Sequence, residues 1–324
     1  MTNGKVSENI LKRSVLREIR QNNKDLITGA AFGEDCAILD LNSDVVMGMA
    51  EAVGNGFGEG RVALIKASNN LAACGFKSEG FEISVILPEN AEEEDLKSLM
   101  KELSDEAINS GGQIIGGHTE VSGAVKDFLV TVTAFGRKSK EIVLDKKNIS
   151  AGDAIIASKW IGIEGACKLL ESDKEELTKR FGESFLERFD GYEGFMSVKE
   201  EAETAVANGV KAMKDVSEHG IFGALWDLGS AANKGLEVDL TKIPVKQEVI
   251  EICNHLNVSP YEMKSSGMLL MVTNDEKRLL DALENVGILA VTIGHFTNQN
   301  DRVIINDDEV RHLDKIKQDA LYRR

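Results

Sequence analysis

Short runs dominated by β-branched and other apolar residues recur through the first half of the chain: CAILDL (36–41), VVMGMAEAV (45–53), FEISVIL (81–87), GQIIGG (112–117) and FLVTVTAF (128–135). Their length and alternation predict strands. Between some of them the apolar spacing lengthens to three and four. Val62, Ile65, Leu71 and Ala72 lie near helical spacing within Arg61–Cys74, and Leu96, Leu99, Met100, Leu103 and Ala107 mark one face of Glu92–Asn109. These segments predict helices packed on one side of a sheet. A second series starts near Gly152 with AIIAS, passes through a charged helical stretch over roughly Ser172–Arg188, and continues through LEVDL, MLLMVT, AVTIGHF and RVIIN with helices between. No linker rich in Pro, Gly or Ser joins the two series. The pattern predicts two α+β domains, 1–148 and 149–324, with the boundary in Lys147–Asp153.

A chain of 324 residues, 42% hydrophobic and 28% charged, is long enough for two domains and excludes global disorder. Aromatics are only 5%, so the core rests on Val, Ile, Leu, Ala and Met. The 54 acidic side chains outnumber the 38 basic ones, for a formal charge of -16. Such a surface opposes a phosphate backbone or an anionic bilayer, so neither nucleic acid nor membrane is an expected partner. A nucleotide stays open if metal ions neutralise it. The opening MTNGKVSENILKRSVLREIR threads charges through its apolar positions and has no secretory core, and no run of eighteen apolar residues follows. A cytoplasmic location is expected. Cys36, Cys74, Cys167 and Cys253 lie far apart with no CxxC pair, which suggests reduced thiols.

Several segments could carry chemistry. Glu34 and Asp35 stand just before a strand, where a carboxylate can be aimed at Mg²⁺, although a turn with solvated acids is the plain reading of that tetrad alone. Gly54, Gly56, Gly58 and Gly60 alternate up to the helix near Arg61. Glycine lets backbone N–H groups approach an anion, and a helix N-terminus favours one. The spacing is neither Walker A nor Rossmann, and a flexible surface loop fits it equally. Asn69 and Asn70 put amides into a small, apolar run. Gly116 and Gly117 allow close backbone approach, and His118, Thr119 and Glu120 after them offer ligands or structural hydrogen bonds. In the second half Asp215 precedes the helix Ile221–Asn233, where it would point out from a turn while Ser217 caps the helix. Ser265-Ser266-Gly267 suits tight packing rather than chemistry.

Taken in order, these segments resemble a known family. GEDCAILDL (33–41), NNLAACG (69–75), GGHTE (116–120), DVSEHGIFGALWDLGSAANKGLEVDLTKIPV (215–245) and SSGMLLMVT (265–273) follow one another as in the superfamily of aminoimidazole ribonucleotide (AIR) synthetase, selenophosphate synthetase, thiamine-monophosphate kinase and the hydrogenase maturation factor HypE. The second half looks most like HypE and its AIR synthase-related relatives.

The resemblance implies a two-domain, PurM-like α+β fold. Its N-terminal mixed sheet would pair across a two-fold axis into a homodimer, with Val45, Val46, Val85 and Leu87 suited to burial there. It implies ATP and Mg²⁺ held largely by the N-terminal domain. The metal acids would be Asp35, Glu51 and Asp215, with Gly54–Gly60 and Gly117–Thr119 near phosphate and Asn69, Asn70 and Glu120 in the same nucleotide set; no catalytic residue is assigned. Relatives usually carry Asp where this chain has Glu51 and Asn70, and many have Asp where it has His118. HypE ends in a Cys that carries the dehydrated group, whereas this chain ends Leu321-Tyr322-Arg323-Arg324. The expected function is an ATP- and Mg-dependent enzyme passing the γ-phosphoryl group to an oxygen or related acceptor of an unidentified substrate. The alternative is a nucleotide-binding homodimeric scaffold, or a metal-centre maturation partner, without turnover.

Overall fold

A computed structural model describes residues 5–20, 22–56 and 58–323. The first four residues, Phe57 of the glycine run and Arg324 of the tail lie outside the described residues. The chain divides into two compact units. One, here the N-terminal unit, comprises the described residues of 21–29 and 35–143; the C-terminal unit comprises those of 1–20, 30–34 and 144–324. A short helix, α1 (Glu8–Leu11), opens the described chain within the latter.

The N-terminal unit is built on strands β1 (Leu26–Thr28), β2 (Ala37–Asp40), β3 (Val45–Asn55), β4 (Gly80–Leu87), β5 (Gln113–Val121) and β6 (Leu129–Ser139). They form a six-stranded sheet in the order β1-β2-β3-β6-β4-β5. The β4–β5 pair is parallel and the other pairs are antiparallel. Helices α2 (Glu59–Ala73) and α3 (Glu93–Asn109) cover one face. The start of α3 is set by a capping box in which Glu92 and Asp95 exchange side-chain-to-backbone bonds. Leu99, Leu103 and Ala107 then recur every four residues and are fully buried. Burial of each leucine stabilises the unit by about 2 kcal/mol.

Alternation decides which strand residues meet those helices. Val46 and Ala50 on β3, Val130, Val132 and Ala134 on β6, and Phe81, Ile83, Val85 and Leu87 on β4 belong to the buried core. This corrects the expectation for a dimer face, because Val46, Val85 and Leu87 are already consumed by the unit's own core. The opposite face carries Val45, Met47, Met49, Thr131, Thr133, Ser84 and Ile86, all half-buried.

The C-terminal unit holds β7 (Ala154–Ser158), β8 (Ala212–Val216), β9 (Gly235–Asp239), β10 (Met268–Thr273), β11 (Ala290–Thr297), β12 (Arg302–Asn306) and β13 (Glu309–His312). The sheet order is β13-β12-β9-β11-β7-β10-β8. Its helices are α4 (Ile163–Ser172), α5 (Lys174–Phe181), α6 (Glu183–Leu186), α7 (Lys199–Ala207), α8 (Gly220–Ala232), α9 (Gln247–Leu256) and α10 (Glu276–Asn285). Every residue of β7, β8 and β10 is buried. The single helical stretch expected over Ser172–Arg188 is broken instead, because Asp173 ends α4 and Gly182, at φ +83, ends α5. A row of rings threads the same region: Phe181, Phe185, Phe189, Tyr192, Phe195 and Trp160 contact one another in succession.

Candidate functional site

In the N-terminal unit the antiparallel register of β2 and β3 sets Ala37 opposite Met49. The paired register ends there: Asp35 lies in a bend two residues before β2 and is half-buried, while Glu51 is exposed on the open face of β3. Carboxylates supply the hard oxygen ligands that a divalent cation prefers. Among the described residues of either unit, no three His, Cys, Asp or Glu side chains are gathered to hold a metal.

The register continues across the same face from Glu51 to Thr133, Glu82 and Gly116, and in the next row from Val53 to Thr131, Ser84 and His118. His118 and Glu120 thus share the open face with Glu51 but stand three strands away, about 15 Å. They pair with each other, His118 Nε2 and Glu120 Oε2 being 2.8 Å apart on the exposed edge strand β5. Gly117, at φ +154, is forced to be glycine: a Cβ there would meet the Ile83 carbonyl oxygen at 1.8 Å. Thr119 is exposed on the same strand.

Strand β3 runs into the glycine run, and α2 follows at once. A Cβ on Gly54 would lie 2.3 Å from the Glu59 carbonyl oxygen, and one on Gly60 would lie 2.6 Å from Leu99 Cδ1, so both are glycine for packing. The Gly56 N–H donates to the Phe128 carbonyl at 2.8 Å, closing the turn. Gly58 caps α2, and a Cβ there would meet nothing within 4 Å. Open space at a helix N-terminus fits the approach of an anionic group. Asn69 and Asn70 lie about 15 Å up the helix from that end. Asn69 is buried and Asn70 half-buried on the core side of the sheet, so the sheet separates them from Glu51.

The C-terminal unit contributes Asp215, and the structure corrects its setting. Asp215 is not in a turn but on β8, opposite Leu269 of β10, and only 1% exposed. Ser217 does not cap the following helix: His219, at φ +67, occupies the cap position of α8 with no side-chain bond to it. Around this strand end the unit assembles a polar cluster that sequence reasoning missed. Lys264 Nζ pairs with Glu218 at 2.9 Å, and the Ser266 hydroxyl donates to Glu164 at 2.7 Å. Burial works against the Lys264 ammonium, but Glu218 and Glu164 outweigh it and raise its pKa. Ser265 Oγ accepts from the Gly162 N–H and donates to the Met263 carbonyl, which bears out a packing role for the Ser265–Gly267 run. The tail is tied down here as well. Asp319, fully buried, accepts the backbone N–H groups of His219 and Leu321 at 2.9 and 3.0 Å, and Arg323 pairs with Glu262. Burial pushes the Asp319 carboxyl up to about 6. The cluster draws on segments around 164, 218, 264 and 319, so its only trace in the sequence is Lys264 beside the serine pair.

Models of the AIR synthase related protein family match residues 33–138 as its N-terminal domain and 150–306 as its C-terminal domain. The chain belongs to that family. A Methanocaldococcus jannaschii protein named for hydrogenase expression and formation is 28% identical, over 93% of this chain and 91% of its own. Carbamoyl dehydratase HypE of Rhodobacter capsulatus is 26% identical over 76% of this chain and 70% of its own. A solved structure of the hydrogenase maturation protein HypE in complex with ATP superposes with a TM-score of 0.72 at 20% identity, covering 99% of this chain and 97% of that one. The two-domain, PurM-like α+β fold is thereby shown. Among the described residues no helix is long and apolar enough to cross a membrane.

Proposed function

We propose that this family member is an ATP- and Mg²⁺-dependent enzyme that transfers the γ-phosphoryl group of ATP to an oxygen or related acceptor. The observation that supports the proposal is the match of the family's N-terminal domain over 33–138, a stretch that contains Asp35, Glu51 and the glycine turn leading from β3 into α2. Asp35 and Glu51 of the N-terminal unit would hold Mg²⁺, which when bound neutralises phosphate charge, and Asp215 is a separate candidate ligand of the C-terminal unit. Backbone N–H groups at Gly58 would orient the phosphates, and such chemistry rests mainly on positioning and charge. Relatives named as a thiamine-monophosphate kinase and a selenide, water dikinase support a phosphoryl-transfer chemistry, and one HypE has been solved with ATP. The chain is proposed to work as a homodimer through the open face of the first sheet, with His118 and Glu120 on that face as well.

Calorimetry of Mg²⁺-ATP binding tests this. Asp35→Asn and Asp215→Asn are each expected to weaken it about tenfold, roughly 1.4 kcal/mol, whereas Asn70→Asp, on the other side of the sheet from Glu51, should leave it unchanged. Unchanged affinity in both Asn variants would remove the metal site. A second reading, a nucleotide-binding scaffold without turnover, is favoured by Asn70, an uncharged amide in place of an acid. Saturable ATP binding with no phosphate release across candidate acceptors would select it.

A further inference from the structure

The core-facing row of β6 ends in a lysine. Val130, Val132 and Ala134 enter the core of the N-terminal unit, and two-residue alternation carries the same face through Gly136 to Lys138, which stands opposite Val46 of β3. Lys138 is accordingly half-buried. Its ammonium donates to the carbonyl oxygen of Cys74, the residue that ends α2, at 2.5 Å and lies 4.2 Å from the centre of the Phe76 ring. None of these residues belongs to the nucleotide and metal set.

What sets this lysine apart is the lack of a carboxylate. Lys146, Lys159, Lys211 and Lys264 are also withdrawn from solvent, and each pairs with an acid, Glu34, Glu201, Asp153 and Glu218, at 2.9, 2.5, 2.8 and 2.9 Å. Lys138 pairs with none among the described residues. The titratable groups that face it are the thiols of Cys36 and Cys74. An ammonium has three protons to donate, so one carbonyl and one ring replace only part of the water it gives up. Burial without a counter-ion favours the uncharged amine.

That balance has a chemical result. Burial pulls the Lys138 pKa down to about 8, with the two thiols acting the other way. Near neutral pH about a tenth of such an amine is uncharged, against fewer than about one in a thousand for an ordinary lysine. The uncharged amine is the nucleophile. We propose that Lys138 is a site of N-acylation by acyl phosphates, activated donors small enough to reach a half-buried group. The nitrogen lone pair adds to the acyl carbon, the bond from that carbon to the phosphate oxygen breaks, inorganic phosphate leaves, and a proton of the amine passes to water. The resulting amide is uncharged. Its formation removes a cation from the C-terminal end of α2, where positive charge is favoured, and from the Phe76 ring.

The test incubates the full chain with acetyl phosphate near neutral pH and follows acetylation at each lysine by peptide mass spectrometry. Lys138 is expected to be labelled at least about tenfold faster than Lys101, an exposed lysine of α3, and to reach half its limiting rate near pH 8. In urea, where the burial is gone, the advantage should vanish. Lys138→Arg keeps the charge at the end of α2, so it should retain the circular dichroism of wild type and lose the fast label. Labelling of Lys138 no faster than of Lys101, an advantage that persists in urea, or a fast label that remains in Lys138→Arg would each overturn the proposal.

Discussion

Strands β3 and β10 are both apolar and both lie inside a sheet, yet one is covered once and the other twice. Along β3 buried positions such as Val46 and Ala50 alternate with half-buried or exposed ones, Met47, Met49 and Glu51, whereas all six residues of β10 are buried. In the C-terminal unit α8 packs on the face carrying Ala212, Val216 and Leu270, and α7 and α10 bury Ala202, Ala205, Leu279 and Leu283 elsewhere in the unit. The N-terminal sheet has α2 and α3 on one face and presents the candidate acid Glu51 on the other. A sheet with one face free of helices can carry charged residues along its strands at little desolvation cost in the single chain. A sheet closed on both sides carries them only as buried groups, as with Asp215.

The largest expected effect separates the two sheets. Ile156→Asp, which places a charge at a fully buried position of β7, should cost more than about 4 kcal/mol and prevent folding. Met49→Asp on the open face should leave each chain folded while shifting the mass in solution from that of the proposed dimer to that of a monomer. Should Met49→Asp unfold the chain, the face is not open.

Next in size is a glycine contrast within the N-terminal unit. Gly117→Ala drives a Cβ into the Ile83 carbonyl and is expected to lose about 3 kcal/mol in denaturant titration. Gly58→Ala meets no neighbour and should lose less than about 1 kcal/mol. Gly58→Ala would nonetheless block close approach of a phosphate, so its cost should appear in ATP affinity rather than in stability.

The smallest effect comes from pH and the buried tail. The Asp319 carboxyl, with an ordinary value of 3.8, is raised to about 6 in the folded chain, so the folded state holds this proton more tightly. Its contribution to stability is full below about pH 4 and is lost as pH rises through about 6, an effect of order 2 kcal/mol. Melting temperatures from pH 4 to 7.5 should therefore fall more steeply in wild type than in Asp319→Asn. Identical profiles would show that the acid is not held by the fold.

The alternating strands of the N-terminal sheet were legible because each buries one face: the expected runs 45–53, 81–87 and 128–135 became Val45–Asn55, Gly80–Leu87 and Leu129–Ser139. The helix expected over Glu92–Asn109 was legible from its apolar spacing and forms over Glu93–Asn109. Strand β8 was not, since AMKDV puts Lys214 and Asp215 into a buried strand, a pattern that local sequence reads as a turn. The site was legible as a set of residue types but not as a set of neighbours. Register sets His118 and Glu120 three strands from Glu51, and register depends on pairings across the whole sheet.

Strand β5 closes the described N-terminal sheet at its outer edge, with the candidate residues Gly117 to Glu120 along it. An edge strand offers unpaired backbone groups to any extended chain it meets, and so invites aggregation. The forced glycine, the register shift opposite Phe81 and the charged Glu120 all discourage such pairing. Replacing His118 or Glu120 with an apolar residue would thus remove a guard against self-association along with a candidate ligand, and selection for solubility and selection for binding would act on the same few positions.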